Sequence, residues 1–182
     1  MTLIFIVALF ACNNKNDSVK AAPSKEELIK RGEYLVQITG CNDCHSPKKM
    51  GANGPEIIPE LMLSGYPADM PIPRGDKNVL SAGFSVFAPD LTAAAGPWGV
   101  SFAGNLTPDP NGIGSWTEEQ FKKALTQGKF KGQDKGRMLL PPMPWGNYTK
   151  MADEDVKAIF TYLKSIKAVN NKVPPPLTPD KI

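Results

Sequence analysis

Cys41-Asn42-Asp43-Cys44-His45 is the stretch on which the reading of this chain turns. C-x-x-C-H is the spacing at which two thiols add across the two vinyl groups of one haem edge, and the next residue brings an imidazole under the ring. The inventory of the chain narrows the choice. It has three cysteines, Cys12, Cys41 and Cys44, and one histidine, His45. A structural zinc site needs four Cys/His ligands, and only three such residues lie near each other. A thioredoxin-like C-x-x-C needs a βαβ context that the flanking sequence does not supply. A plain disulfide between 41 and 44 leaves His45 unexplained. The expected cofactor is one covalently attached haem c, on Cys41 and Cys44, with His45 on the iron.

Toward the N-terminus, Ser24-Lys25-Glu26-Glu27 reads as a helix start with a capping box. Leu28, Leu35 and Ile38, flanked by Tyr34, recur at helical spacing, and Gly40 supplies a stop directly before Cys41. Gly32 inside this helix costs up to ~1 kcal/mol relative to alanine, which favours a close approach by another helix there. Further back, Thr2 to Ala11 is an apolar run, too short to span a bilayer but sized for the core of a secretory signal. Leu9-Phe10-Ala11-Cys12 resembles a bacterial lipobox, so Cys12 is the expected lipidation site and Asn13 to Ser24 a tether. An ordinary cleaved signal peptide is the alternative, and the absence of Lys or Arg before the apolar run departs from the usual pattern. Either version sends the chain to the outer side of the bacterial inner membrane. The expected layout is a signal at 1–11, a lipidated tether at 12–24, one folded domain at 25–169 and a Pro-rich extended tail at 170–182.

Charged residues are 21% and hydrophobic residues 41%, ordinary for one soluble domain. The net charge of +3 comes without a basic run interleaved with aromatics, so nucleic acid is not an expected partner. Pro 18 and Gly 16 are the unusual entries of the composition. From Ser46 to Ser115 no period persists, yet Leu61, Tyr66, Phe84, Phe87, Trp98 and Phe102 are spread through it. Disordered linkers lack such residues, so this is expected to be ordered coil wrapped around a large apolar object. Thr117-Glu118-Glu119-Gln120 starts a second capped helix that Gly128 ends. Asp153-Glu154-Asp155 opens a third, with Val156, Ile159, Phe160, Leu163 and Ile166 as its apolar stripe. Between them lies Leu140-Pro141-Pro142-Met143-Pro144-Trp145. With no second histidine, a methionine is the expected sixth iron ligand. The prolines around Met143 stiffen its backbone, which makes it the leading candidate. Met138 in the same loop is the competitor; Met50, Met62, Met70 and Met151 lack that stiffening.

These pieces together resemble a class I c-type cytochrome domain, nearest to the haem domains of the cytochrome subunits of bacterial alcohol and aldehyde dehydrogenases. The resemblance spans about residues 25–169. It rests on Gly40 through His45, Leu63-Ser64-Gly65-Tyr66-Pro67-Ala68, Asn105-Leu106-Thr107-Pro108-Asp109, Gly112-Ile113-Gly114-Ser115-Trp116-Thr117 and Met143-Pro144-Trp145. It implies an all-α class I cytochrome c fold with crossing N- and C-terminal helices and long ordered Pro/Gly-rich loops. It also implies Met143 as axial ligand, Pro108 as the carbonyl that accepts the proximal histidine's N–H, and Trp116 and Arg137 as haem-pocket contacts. Its functional implication is a single-electron carrier in the bacterial cell envelope, not an enzyme in itself. Its partners would be a dehydrogenase donor and an oxidase or cytochrome acceptor. The alternatives are a fixed subunit of a dehydrogenase complex, or a haem sensor or enzyme with an open sixth site. Those subunits usually carry three haem domains and this chain has one attachment motif, so its partner does not follow by analogy.

Overall fold

The computed structural model describes residues 21–73 and 76–182. The expected signal segment, the expected lipidation site at Cys12 and the tether up to residue 20 lie outside the described residues. Helix α1 runs Lys25–Ile38 and is capped as its sequence predicts: Glu27 N–H donates to Ser24 Oγ, and Ser24 N–H to the Glu27 carboxylate at 2.7 Å. It buries Gly32, Leu35 and Val36, while Ile38 and Tyr34 stay more than half exposed. The apolar stripe therefore passes through Val36 rather than Ile38. Helix α5, Asp153–Ser165, crosses α1 at Gly32, where a Cβ would collide with the Ala158 carbonyl and the Tyr162 side chain. Only glycine fits that crossing. Arg31 closes it on the solvent side, its guanidinium donating to both carboxylate oxygens of Asp155 at 2.9 and 3.2 Å.

Helix α4, Glu118–Gln127, carries the reciprocal Thr117–Gln120 capping box and ends at Gly128 in the left-handed region. Its Phe121 joins Leu35, Val36, Leu63, Ile113, Val156, Ile159 and Leu163 in the main core. The Phe121 and Phe160 rings, 5.4 Å apart, bring α4 against α5.

The all-α expectation is corrected by two small antiparallel sheets, which stand beside five α-helices among the described residues. Strand β1, Lys48–Gly51, pairs with β2, Gly54–Ile57. After the short helix α3, Lys77–Ser81, come β3 (Val86–Phe87), β4 (Ala93–Gly96) and β5 (Gly99–Phe102), paired in that order. Both tight hairpins close through two-residue loops, Ala52-Asn53 and Pro97-Trp98, with Gly54 and Gly99 at positive φ where each chain re-enters its strand. The strands lack the apolar alternation that announces a sheet. β4 is Ala-Ala-Ala-Gly and buried throughout, and β1 is Lys-Lys-Met-Gly.

The segment after α5 is tied back across the domain. Leu177 bridges Val100 on the free edge of β5 through two 2.9 Å main-chain bonds, passing so close that a Cβ on Gly99 would collide with its carbonyl. No helix among the described residues is long and apolar enough to cross a membrane.

Candidate haem site

Cys41–His45 forms its own short helix, α2, set off from α1 by Gly40 at φ +70°. That left-handed residue turns the chain so the motif begins a new helix rather than extending α1. The two cysteines are three apart on α2, half-buried, and not joined to each other. Burial pushes both thiols up from their ordinary pKa. At Cys41 a contact with Thr39 Oγ1, 3.4 Å from the sulfur, works the other way; at Cys44, Asp43 adds to the rise and Lys48 opposes it.

His45 Nδ1 lies 2.7 Å from the Gly104 carbonyl, which can only accept, so Nδ1 carries the proton. Burial pulls the imidazole pKa down, with the Gly104 bond opposing it, so the ring is held neutral. That fixes the tautomer and leaves Nε2 with a free lone pair, the arrangement a metal-ligating histidine adopts. Two unpaired thiols at this spacing beside a neutral, oriented imidazole are a donor set that fits haem c.

The carbonyl that meets His45 belongs to Gly104 and not to Pro108. The Asn105 side chain turns the intervening chain by accepting from Thr107 N and Oγ1, and the Pro108 carbonyl ends up facing Gly114. The motif is braced from several sides. Ser46 Oγ donates to Asn42 Oδ1 and accepts from Leu63 N, while Gly65 N donates to the His45 carbonyl. Tyr148 donates to the Thr39 carbonyl at 3.1 Å, and Lys48 Nζ caps the carbonyls of Asn42, Asp43 and Ser46.

Met143 is half-buried in a loop anchored at three points. Ser101 donates to the Pro141 carbonyl at 2.6 Å, Leu139 N to the Gly128 carbonyl at 2.7 Å, and the Trp145 indole packs over Gly128. Met138 is 40% exposed, and Met50 on β1 is 74% exposed. Met62 and Met151 pack against the main core, and Met70 lies on the surface. Trp116 packs against that same core. Arg137 lies 3.8 Å over the Phe130 ring and donates to the Met138 carbonyl, with burial lowering its pKa.

The sequence reading missed Gly104, which acts through its backbone, and Lys48, which resembles any surface lysine. Only Gly104's place just before the Asn-x-Thr turn hints at a fixed carbonyl.

The chain is similar in sequence to cytochrome subunits of several bacterial dehydrogenases. The chain is 30% identical over 158 residues to the cytochrome c subunit of a quinone-dependent alcohol dehydrogenase from Gluconobacter oxydans, covering 85% of this chain and 25% of that protein. It is 31% identical over 140 residues to the gluconate 2-dehydrogenase cytochrome c subunit of Pantoea cypripedii, covering 76% and 23%. It is 27% identical over 176 residues to the fructose dehydrogenase cytochrome subunit of Gluconobacter japonicus, covering 96% and 29%. The chain thus spans about a quarter of the length of these relatives. The cytochrome c family model matches residues 29–167, most of the described domain. With the thiol pair and the oriented histidine inside that match, covalently attached haem c is the cofactor, and the chain belongs to the cytochrome c family.

Proposed function

We propose that this chain is a periplasm-facing, single-haem electron carrier whose iron is closed on both faces by His45 and Met143. The observation that carries the reading is the convergence on α2 of two unpaired thiols and a histidine oriented by the Gly104 carbonyl. Haem, when bound, supplies a one-electron Fe(II)/Fe(III) couple. Cys41 and Cys44 hold it through thioethers, so it is not lost on docking or release of a partner. His45 offers Nε2, and its Nδ1–H bond to Gly104 fixes the ring and raises ligand basicity. Met143 would offer its thioether sulfur to the iron as the second protein ligand, which would leave no position for substrate and favour a positive potential. The anchored Pro141–Trp145 loop keeps that sulfur in place at low ordering cost. Trp116 and Arg137 are proposed to contact the haem, while the carbonyl on His45 is that of Gly104 rather than Pro108.

Lipidation at Cys12 would keep the carrier on a membrane face, and redox proteins would be its partners: a dehydrogenase as donor and an oxidase or another cytochrome as acceptor. A redox-titrated visible spectrum of the purified protein, with copurifying proteins identified, tests this. A low-spin haem c couple titrating with one electron is expected. A spectrum that changes on adding carbon monoxide to the reduced protein would refute the closed site.

A fixed subunit of a dehydrogenase complex is the second reading. It is favoured by the relatives, which are cytochrome subunits of alcohol, gluconate and fructose dehydrogenases. Stoichiometric copurification of a catalytic subunit through size exclusion would select it over the diffusing carrier.

A further inference from the structure

Lys48 lies three residues past His45, at the start of β1, and its ammonium is built into the attachment segment. Nζ lies 2.6 Å from the Asp43 carbonyl, 3.0 Å from those of Ser46 and Asp90, and 3.3 Å from that of Asn42. An ammonium has three donors and no acceptor, so these four oxygens saturate it. Three of them belong to Asn42, Asp43 and Ser46, which flank Cys44 and His45 in the chain; the fourth comes from the loop before β4. A lysine side chain loses much rotamer entropy when fixed, so ordinary surface lysines stay loose and screened. This one is half-buried and immobilised.

We propose that Lys48 is a positioning residue of the haem site whose fixed charge also sets the reduction potential; this rests on the haem reading above. On reduction the iron takes one electron from a donor protein, and the site loses one unit of positive charge. An ammonium held on the attachment segment favours that reduced state. Two carboxylates oppose it. Asp43 is exposed, and the buried Asp90 side chain accepts from Thr92 N and Oγ1. Neutralising Lys48 leaves both uncompensated, so the potential falls. The ammonium also joins α2 to the β4 loop, holding the cysteine-bearing peptides against the small sheet.

The test uses haem-loaded protein carrying Lys48→Met, Lys48→Gln or Lys48→Arg, with Lys49→Met, at the exposed neighbouring position, as control. The two neutral variants are expected to shift the Fe(III)/Fe(II) equilibrium about threefold to tenfold toward Fe(III), a tenfold change being 59 mV for one electron. Lys48→Arg should restore most of it. Lys49→Met should shift it less, and that shift should vanish at about 0.5 M salt while the Lys48 shift persists. Failure of both neutral variants to load haem, with Lys48→Arg loaded, also supports a charge that positions the motif. An unchanged potential in a loaded neutral variant, a Lys48 shift erased by salt, or loss of haem from all three variants overturns the proposal. Wild-type protein without covalent haem would instead sink the haem reading itself.

Discussion

His45 is oriented by a backbone carbonyl, which hands the task of fixing that carbonyl to the residues beside Gly104. Ala103 is held on both sides, its N–H donating to the Thr92 carbonyl and its own carbonyl accepting from Tyr66 N. Asn105 on the other side donates to the carbonyls of Val169 and Asn171. Asn171 continues the chain of bonds, donating to the Ser64 and Tyr66 carbonyls and accepting from Ala68 N. A buried polar group left without a partner costs about 1–3 kcal/mol. Asn171→Ala would strand two carbonyls and one N–H, so a loss of about 2 kcal/mol or more is expected in chemical denaturation; a loss under about 0.5 kcal/mol would mean the network does not matter. The sequence made His45 conspicuous because it is the sole histidine. It could not single out Gly104, since a carbonyl's direction is set by φ and ψ and by distant partners, none of which has a residue-type signature.

Helices were the legible elements. Both capping boxes, at Ser24–Glu27 and Thr117–Gln120, form as written, because cap chemistry is local and needs no tertiary partner. The strands were not legible, since β4 has no polar face to alternate with and β1 carries its apolar character in a single methionine. Glycine flanks at Gly51–Gly54 and Gly96–Gly99 were the available hint of two-residue hairpin loops. The α1–α5 crossing gives a prediction whose sign discriminates. In an isolated helix Gly→Ala gains about 1 kcal/mol. Gly32→Ala is expected to lose about 2 kcal/mol or more here, because the added carbon meets the Ala158 carbonyl and α5 must move away. A lowered Tm checks it; a raised Tm would show that the helices do not pack this closely.

Across the whole molecule, the motif lies between elements from both ends of the chain. α1 leads into it, the 62–66 and 103–107 segments brace it, and the segment after α5 ties those braces together through Asn171 and then reaches β5 through Leu177. Residue spacing and family resemblance were enough to identify the domain. The landing of the C-terminal segment on β5 was not foreseeable, because a Val-Pro-Pro-Pro run reads as an extended spacer or a surface strap without saying which edge it meets. The same scale carries the envelope prediction. In a bacterial host, Cys12→Ser is expected to move the protein from the membrane fraction to the soluble fraction of the periplasm; undiminished membrane association would argue against a lipid on Cys12.

The proposed haem iron is closed by His45 on one face and Met143 on the other. The oxidised visible spectrum tests it most directly, comparing Met143→Ala with Met138→Ala in haem-loaded protein. The methionine-to-iron charge-transfer band and the positive potential are expected to be lost in Met143→Ala and kept in Met138→Ala. A band that survives in Met143→Ala would contradict it.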